Sequence, residues 1–136
     1  MSAVHSVAAS LELPVVLVGH SLGGAAALLA TRECPEVRAV ATIGAPADPS
    51  HVTQLLSCGL DEVKATGKGT VKIAGREFLI RRDFIDALEA TNMQSVVGEM
   101  KRPVLFFHSP VDQTVGIENA ASLFWVRRTS EEFRIA

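Results

Sequence analysis

The sequence predicts an α/β fold, a mainly parallel sheet flanked by helices. Three observations carry this. Short β-branched runs alternate with longer segments rich in helix formers. The runs Val15–Val18 and Pro103–Phe107 are apolar throughout and read as buried strands, the first on both faces. The first run enters its helix through a glycine-dense turn, Gly19-His20-Ser21-Leu22-Gly23-Gly24.

Composition narrows the reading. A chain of 136 residues is one domain at most. With 48% hydrophobic and 21% charged residues, and a mean hydropathy of +0.27, it can build a core. A disordered tail, a collagen-like fibre and a low-complexity linker are excluded. Thirteen Lys and Arg against fifteen Asp and Glu give a net charge of −2. Nothing there points to nucleic acid or to an anionic membrane surface. Cys34 and Cys58 are too few for a disulfide scaffold and lack metal-ligand spacing. No metal and no cofactor is expected. Residues 13–30 are uncharged and about as long as a membrane span. His20 and Ser21 sit in the middle of that stretch, glycines interrupt it and Pro14 opens it. The first residues lack the basic region of a signal peptide. A cytoplasmic protein is expected.

In chain order, residues 3–11 read as a helix. Pro14 starts a strand over Val15–Val18, and residues 25–33 are strong helix formers. Val37–Ile43 is a second strand, closed by the turn Gly44-Ala45-Pro46. Asp48-Pro49-Ser50 can cap a helix over residues 52–56. The polar stretch 61–69 reads as a loop. Residues 70–80 read as a hairpin turning at Ala74-Gly75, with Val71 opposite Phe78 and Lys72 opposite Glu77. Val71, Ile73, Phe78 and Ile80 then share one face. Residues 82–90 read as an amphipathic helix with Phe84, Ala87 and Leu88 inward. Pro103–Phe107 is a third strand, and it runs into the loop His108-Ser109-Pro110-Val111-Asp112. Residues 117–127 read as a helix with Ala120, Leu123 and Phe124 inward, and Phe133–Ala136 begins a fourth strand. The hairpin interrupts the strand–helix pattern. The expectation is therefore a single domain over 1–136 carrying an insertion or cap over about 47–100.

The chemistry concentrates in Gly19-x-Ser21-x-Gly23. Between a buried strand and an Ala-rich helix, this pattern forms a nucleophile elbow. A sharp turn strains the serine backbone and lifts its hydroxyl above the sheet. Small residues, Gly19, Gly23 and Gly24, let strand and helix pass closely. The Leu22 N–H, at the helix N-terminus, can donate to an oxyanion. His20 lies within the elbow beside the serine.

GHSLGG after VVLV resembles the α/β-hydrolase superfamily, and HSPVDQTV after PVLFF resembles that family's acid-bearing loop. Several segments, among them VRAVATIGAPADPSHV and VKIAGREFLIRRDFIDAL, are also similar to the hydrolase half of bacterial proteins fused to an OsmC-type domain. No OsmC-type domain is expected within these 136 residues. The resemblance implies a partial α/β-hydrolase fold and a serine hydrolase acting on a carboxylic ester, thioester or amide of a small-molecule acyl substrate. It implies Ser21 as nucleophile, Leu22 N–H as oxyanion donor and Asp112 as the acid. Asp48, after the second strand, is the rival acid. An acyltransferase or perhydrolase on the same elbow, or a non-catalytic interaction module, are the other readings.

The sequence also departs from the family. The base should be a histidine downstream of the acid, and residues 113–136 contain none. Few residues precede Ser21, so the chain is expected to be the carboxyl-side half of a hydrolase sheet, cut at both ends and impaired in activity. Among the other histidines, His51 and His108 are the candidates for a substitute base, with His108 more readily a structural residue of its loop. His5 reads as a surface residue. The Val15–Val18 strand would be an apolar edge open to self-association. Gly67-Lys68-Gly69-Thr70 lacks the leading glycine and the strand of a phosphate-binding loop.

Overall fold

A computed structural model describes residues 2–11, 13–51, 59–73 and 76–129. It divides into two compact units, Met1–Ala47 with Asn92–Ala136, and Asp48–Thr91.

The first unit holds α1 (Ser2–Leu11), β1 (Val15–His20), α2 (Leu22–Glu33) and β2 (Val37–Ile43). The chain returns to this unit at residue 92. The strands β1 and β2 are those expected, β1 running two residues further because Gly19 and His20 pair with Thr42 and Ile43. The third strand of the sheet, Val104–Phe107, lies on the far side of β2, all three strands being parallel. Val40 pairs with Leu17 on one side and with Val104 on the other.

The core lies on one face of this sheet. Leu28, Cys34, Val37, Val40, Met93, Val97 and Leu123 are buried together, and Leu17, Val104 and Phe106 pack against them. Val16, Val18, Ile43, Leu105 and Phe107 are exposed. Among the described residues Val15–Val18, expected to be buried on both faces, is covered on one, where Leu28, Met93, Val97 and Leu123 of the first unit's helices join one cluster.

Before the third strand comes a helix the sequence reading missed, Met93–Gly98. Its Asn92 side chain accepts the Ser95 N–H at 3.1 Å, an N-cap, and Met93, Val96 and Val97 are buried. Six residues are too few for helical periodicity to register in sequence. Met93, Val96, Val97 and Met100 belong to the core of the first unit. The last described helix spans Glu118–Thr129. Leu123 is buried as expected, whereas Phe124 is exposed and meets Trp125 edge to face, centroids 6.1 Å apart.

The second unit holds α3 (Leu60–Thr66), β3 (Lys68–Ile73), β4 (Arg76–Arg81) and α4 (Arg82–Ala90). In chain order the helix and strand of the first unit that follow are α5 (Met93–Gly98) and β5 (Val104–Phe107), then α6 (Glu118–Thr129). The expected loop at 61–69 is instead α3 and the start of β3. Its polar residues are the solvent face of a one-sided helix, with Val63 buried, and left-handed glycines bound it at both ends, Gly59 with φ 101° and Gly67 with φ 85°. The hairpin has the expected register, Val71 opposite Phe78 and Lys72 opposite Glu77. Lys72 Nζ stands 3.9 Å from Glu77 Oε1. On α4 the inward pair is Ile85 and Leu88, while Phe84 and Ala87 face out. The stripe is rotated because Ile85 joins Val63 and Val71 in this unit's own core. The helix expected over 52–56, the Ala74-Gly75 turn, Cys58 and the strand expected at 133–136 lie outside the described residues. No helix among the described residues is long and apolar enough to cross a membrane.

Leu28 is fully buried, so Leu28→Ala is expected to cost about 3 kcal/mol through lost transfer energy and a cavity. Phe124→Ala, on an exposed position, should cost under about 1 kcal/mol. Urea denaturation of both variants measures the contrast, and equal losses would contradict the assigned helix face.

Candidate active site

Strand β1 ends at His20 and α2 begins at Leu22, so Ser21 alone makes the turn. Its backbone has φ 52° and ψ −127°, and among the described residues no other non-glycine residue has positive φ. Such a conformation costs on the order of 1–3 kcal/mol and persists only where its surroundings dictate it. Here they do. The Ser21 N–H donates to the Ile43 carbonyl at 2.8 Å, continuing the sheet, and the Ser21 carbonyl accepts from Gly24 N–H at 2.8 Å, starting the helix. The Ser21 side chain makes no capping bond to its own helix. Leu22 is the first helical residue, and the N–H groups of a first turn have no acceptor within the helix.

Two glycines make this turn possible. A Cβ on Gly19 would strike the carbonyl oxygen of Gly23 and lie 2.6 Å from the Gly24 Cα. A Cβ on Gly24 would lie 2.8 Å from the Ala45 Cβ and 3.1 Å from the Gly19 oxygen. Gly23 differs from the sequence expectation, since a Cβ there would meet nothing within 4 Å. Its backbone, not its missing side chain, is what packs against Gly19.

Asp112 lies in the loop after β5. Its Oδ1 accepts the backbone N–H groups of Thr114 at 2.9 Å and Val115 at 3.0 Å. These two bonds, Val115 first, hold the carboxyl below its ordinary range, with lesser help from the nearby His108 and His20. The other oxygen, Oδ2, stands over Gly44, 3.3 Å from where a Cβ would be. Gly44 has φ 59° and donates its N–H to the Phe107 carbonyl at 2.9 Å. The strand ends His20, Ile43 and Phe107 are in register. Ser21 and the Asp112 loop therefore leave the same end of the sheet, from strands roughly 10 Å apart.

The histidines have separate places. His108 is almost wholly buried, and its Nε2 donates to the Val115 carbonyl at 2.6 Å. A carbonyl only accepts, so Nε2 carries a proton, lies 4.0 Å from Asp112 Oδ2, and cannot take one from Ser21. His108 holds the acid loop. His51 faces Asp48 Oδ2 at 3.4 Å in the second unit. Asp48 itself accepts from Ser50 Oγ at 2.6 Å and Ser50 N–H at 2.9 Å, and these bonds, the hydroxyl first, lower its pKa. His5 Nε2 lies 3.5 Å from Cys34 Sγ. His20 is exposed at the end of β1. No group of His, Cys, Asp and Glu among the described residues could hold a metal ion.

Sequence reasoning missed two supports. Gly44 was read only as part of a turn, and its closeness to Asp112 depends on the pairing of β2 with β5. Asn119 Oδ1 accepts the Ala47 N–H at 2.9 Å while its Nδ2 donates to Gly116 at 3.0 Å, which ties the end of β2 to the start of α6.

A family model described as the alpha/beta hydrolase family matches residues 1–131. The chain belongs to this family. Among solved structures, the chain is 51% identical to the esterase domain of a Rhodothermus marinus protein, covering 93% of itself and 52% of that chain at a TM-score of 0.77. It is 26% identical to alpha/beta hydrolase domain-containing protein 10 from mouse, covering 90% of itself and 52% of that chain at a TM-score of 0.62. Est1E from Butyrivibrio proteoclasticus shares the fold, with 20% identity, 93% and 54% coverage and a TM-score of 0.71. The chain thus spans about half the length of the structures it matches. Among curated proteins no match is found.

Two outcomes test the site's construction. Gly24→Ala should lower stability by about 1–3 kcal/mol, and adding Ala45→Gly should restore part of it, because the nearest obstructing atom is then gone. No second substitution should rescue Gly19→Ala, whose obstruction is backbone; thermal melts compare the set. For Asp112 the folded pKa lies below the unfolded 3.8. Its contribution is therefore present above that pH and is lost as pH falls through the depressed value. The melting difference between the natural chain and Asp112→Asn should stay level from pH 7 to about 5 and close below about pH 4. A difference that grows on acidification would contradict the assignment.

Proposed function

We propose that this chain carries the nucleophile and the acid of a serine esterase of the α/β-hydrolase type. The backbone of Ser21 carries the reading. A strained serine on a strand-to-helix turn has its hydroxyl presented to substrate and not spent on capping. The same end of the sheet holds Asp112 with one carboxylate oxygen fixed by two N–H groups. The 51% identity to an esterase domain supports an ester as substrate.

In this mechanism Ser21 Oγ attacks the carbonyl carbon of an ester, and the hydroxyl proton passes to a histidine. The Leu22 N–H donates to the oxyanion, the alcohol leaves with the proton, and water then hydrolyses the acyl-serine. Asp112 would orient the histidine through Oδ2. Residues 113–136 contain no histidine, and His108 is committed to Val115. Residues 1–136 assayed on their own are therefore expected to react slowly. Loss of one member of a working triad costs on the order of 10⁴–10⁶ in turnover.

Labelling with a fluorophosphonate, read by intact mass, tests this. A single adduct should form slowly, should be absent in Ser21→Ala, and should form several-fold faster when imidazole is added as the missing base. Labelling that survives Ser21→Ala, or a folded chain that takes no adduct even with imidazole, would overturn the reading.

A further inference from the structure

Asn119, the second residue of α6, spends both ends of its amide on backbone groups. An N–H only donates and a carbonyl only accepts, so Ala47 and Gly116 fix which end of the amide points where. The Gly116 carbonyl accepts from the Asn119 N–H as well, at 3.0 Å. Each partner leads to the site. Gly116 follows Val115, whose N–H is one of the two donors on Asp112 Oδ1. His108 holds the Val115 carbonyl and Asn119 holds the next one. Gly116 has no side chain to restrict its own torsions, so bonds from outside set the course of the loop there. On the other side, Ala47 closes a short segment that meets both halves of the site. Its Gly44 lies beside Asp112 Oδ2, and its Ala45 Cβ stands over Gly24 in the first turn after Ser21.

We propose that Asn119 is a positioning residue for the esterase site, setting where the Asp112 carboxylate stands relative to the Ser21 turn. This rests on the reading of Ser21 and Asp112 as nucleophile and acid. A purely local role, capping α6, would not account for Oδ1, which accepts from a residue 72 positions earlier in the chain. The task also calls for an uncharged amide. One planar group has to accept on one side and donate on the other. A leucine of the same branched shape does neither, and an aspartate would set a carboxylate against the Gly116 carbonyl.

Asn119→Leu tests the proposal in two ways. Imidazole-assisted fluorophosphonate labelling of Ser21 should fall roughly tenfold, as a small misplacement beside a reacting centre causes. In the Asp112→Asn background the same substitution should change the rate by less than about twofold, since the group it positions is no longer a carboxylate. An equal fall in both backgrounds, or no fall in either, would overturn the proposal. The second readout does not depend on Ser21. The midpoint of the Asp112 carboxyl titration, followed by carbon NMR, should rise towards 3.8, because the Val115 N–H that does most to lower it is no longer held in place. His108 and His20, whose charges also act on Asp112, are unchanged in the variant. An unmoved midpoint would overturn the proposal even if Ser21 takes no label. A raised midpoint in a chain that takes no label would support the role of Asn119 at Asp112 and count against the nucleophile alone. Asn119→Ser, too short to reach both partners, serves if Asn119→Leu does not fold.

Discussion

The first unit depends on one close approach, β1 against the first turn of α2. Gly19 and Gly24 allow it, the Ser21 backbone is bent to achieve it, and Ala45 closes it from the end of β2. If the two elements separated, Ser21 would have no reason to keep positive φ. Its N–H would leave the Ile43 carbonyl and the sheet would end one residue early. Strain at the serine is thus offset by packing and hydrogen bonds that a relaxed serine would give up.

The Asp112 side is built differently. No backbone strain is visible at Asp112, and its position comes from bonds within its own loop. Oδ1 is held by Thr114 and Val115, while His108 holds the Val115 carbonyl from beneath. The loop is thus a closed ring of hydrogen bonds standing on β5. From the end of β2 Gly44 comes close to Asp112 Oδ2, which its lack of a side chain allows. A buried histidine used in this way stiffens the loop, and its Nε2 is committed to the Val115 carbonyl.

Much of this was legible in the sequence because the signals are local. The apolar runs mark β1, β2 and β5. The register of the hairpin follows from a two-residue turn and from Lys72 facing Glu77. The elbow follows from glycine spacing on either side of Ser21. What was not legible depends on distant partners. A polar run reads as loop until Val63 has a core to join, and the inward stripe of α4 is chosen by Val71, not by its own periodicity. Gly23 and Gly24 look alike in sequence, and only Ala45 and Thr42 distinguish them. An apolar strand cannot report which of its faces is covered.

The two places where the chain leaves and re-enters the first unit are both anchored. At its exit, the Ala47 N–H is held by Asn119; at its return, Asn92 caps α5 through Ser95. Both anchors lie within the first unit, and the intervening unit has a core of its own in Val63, Val71 and Ile85. The hydrogen bonds that define the Ser21 turn and the Asp112 loop are made wholly within the first unit, so their making draws on no residue between 48 and 91.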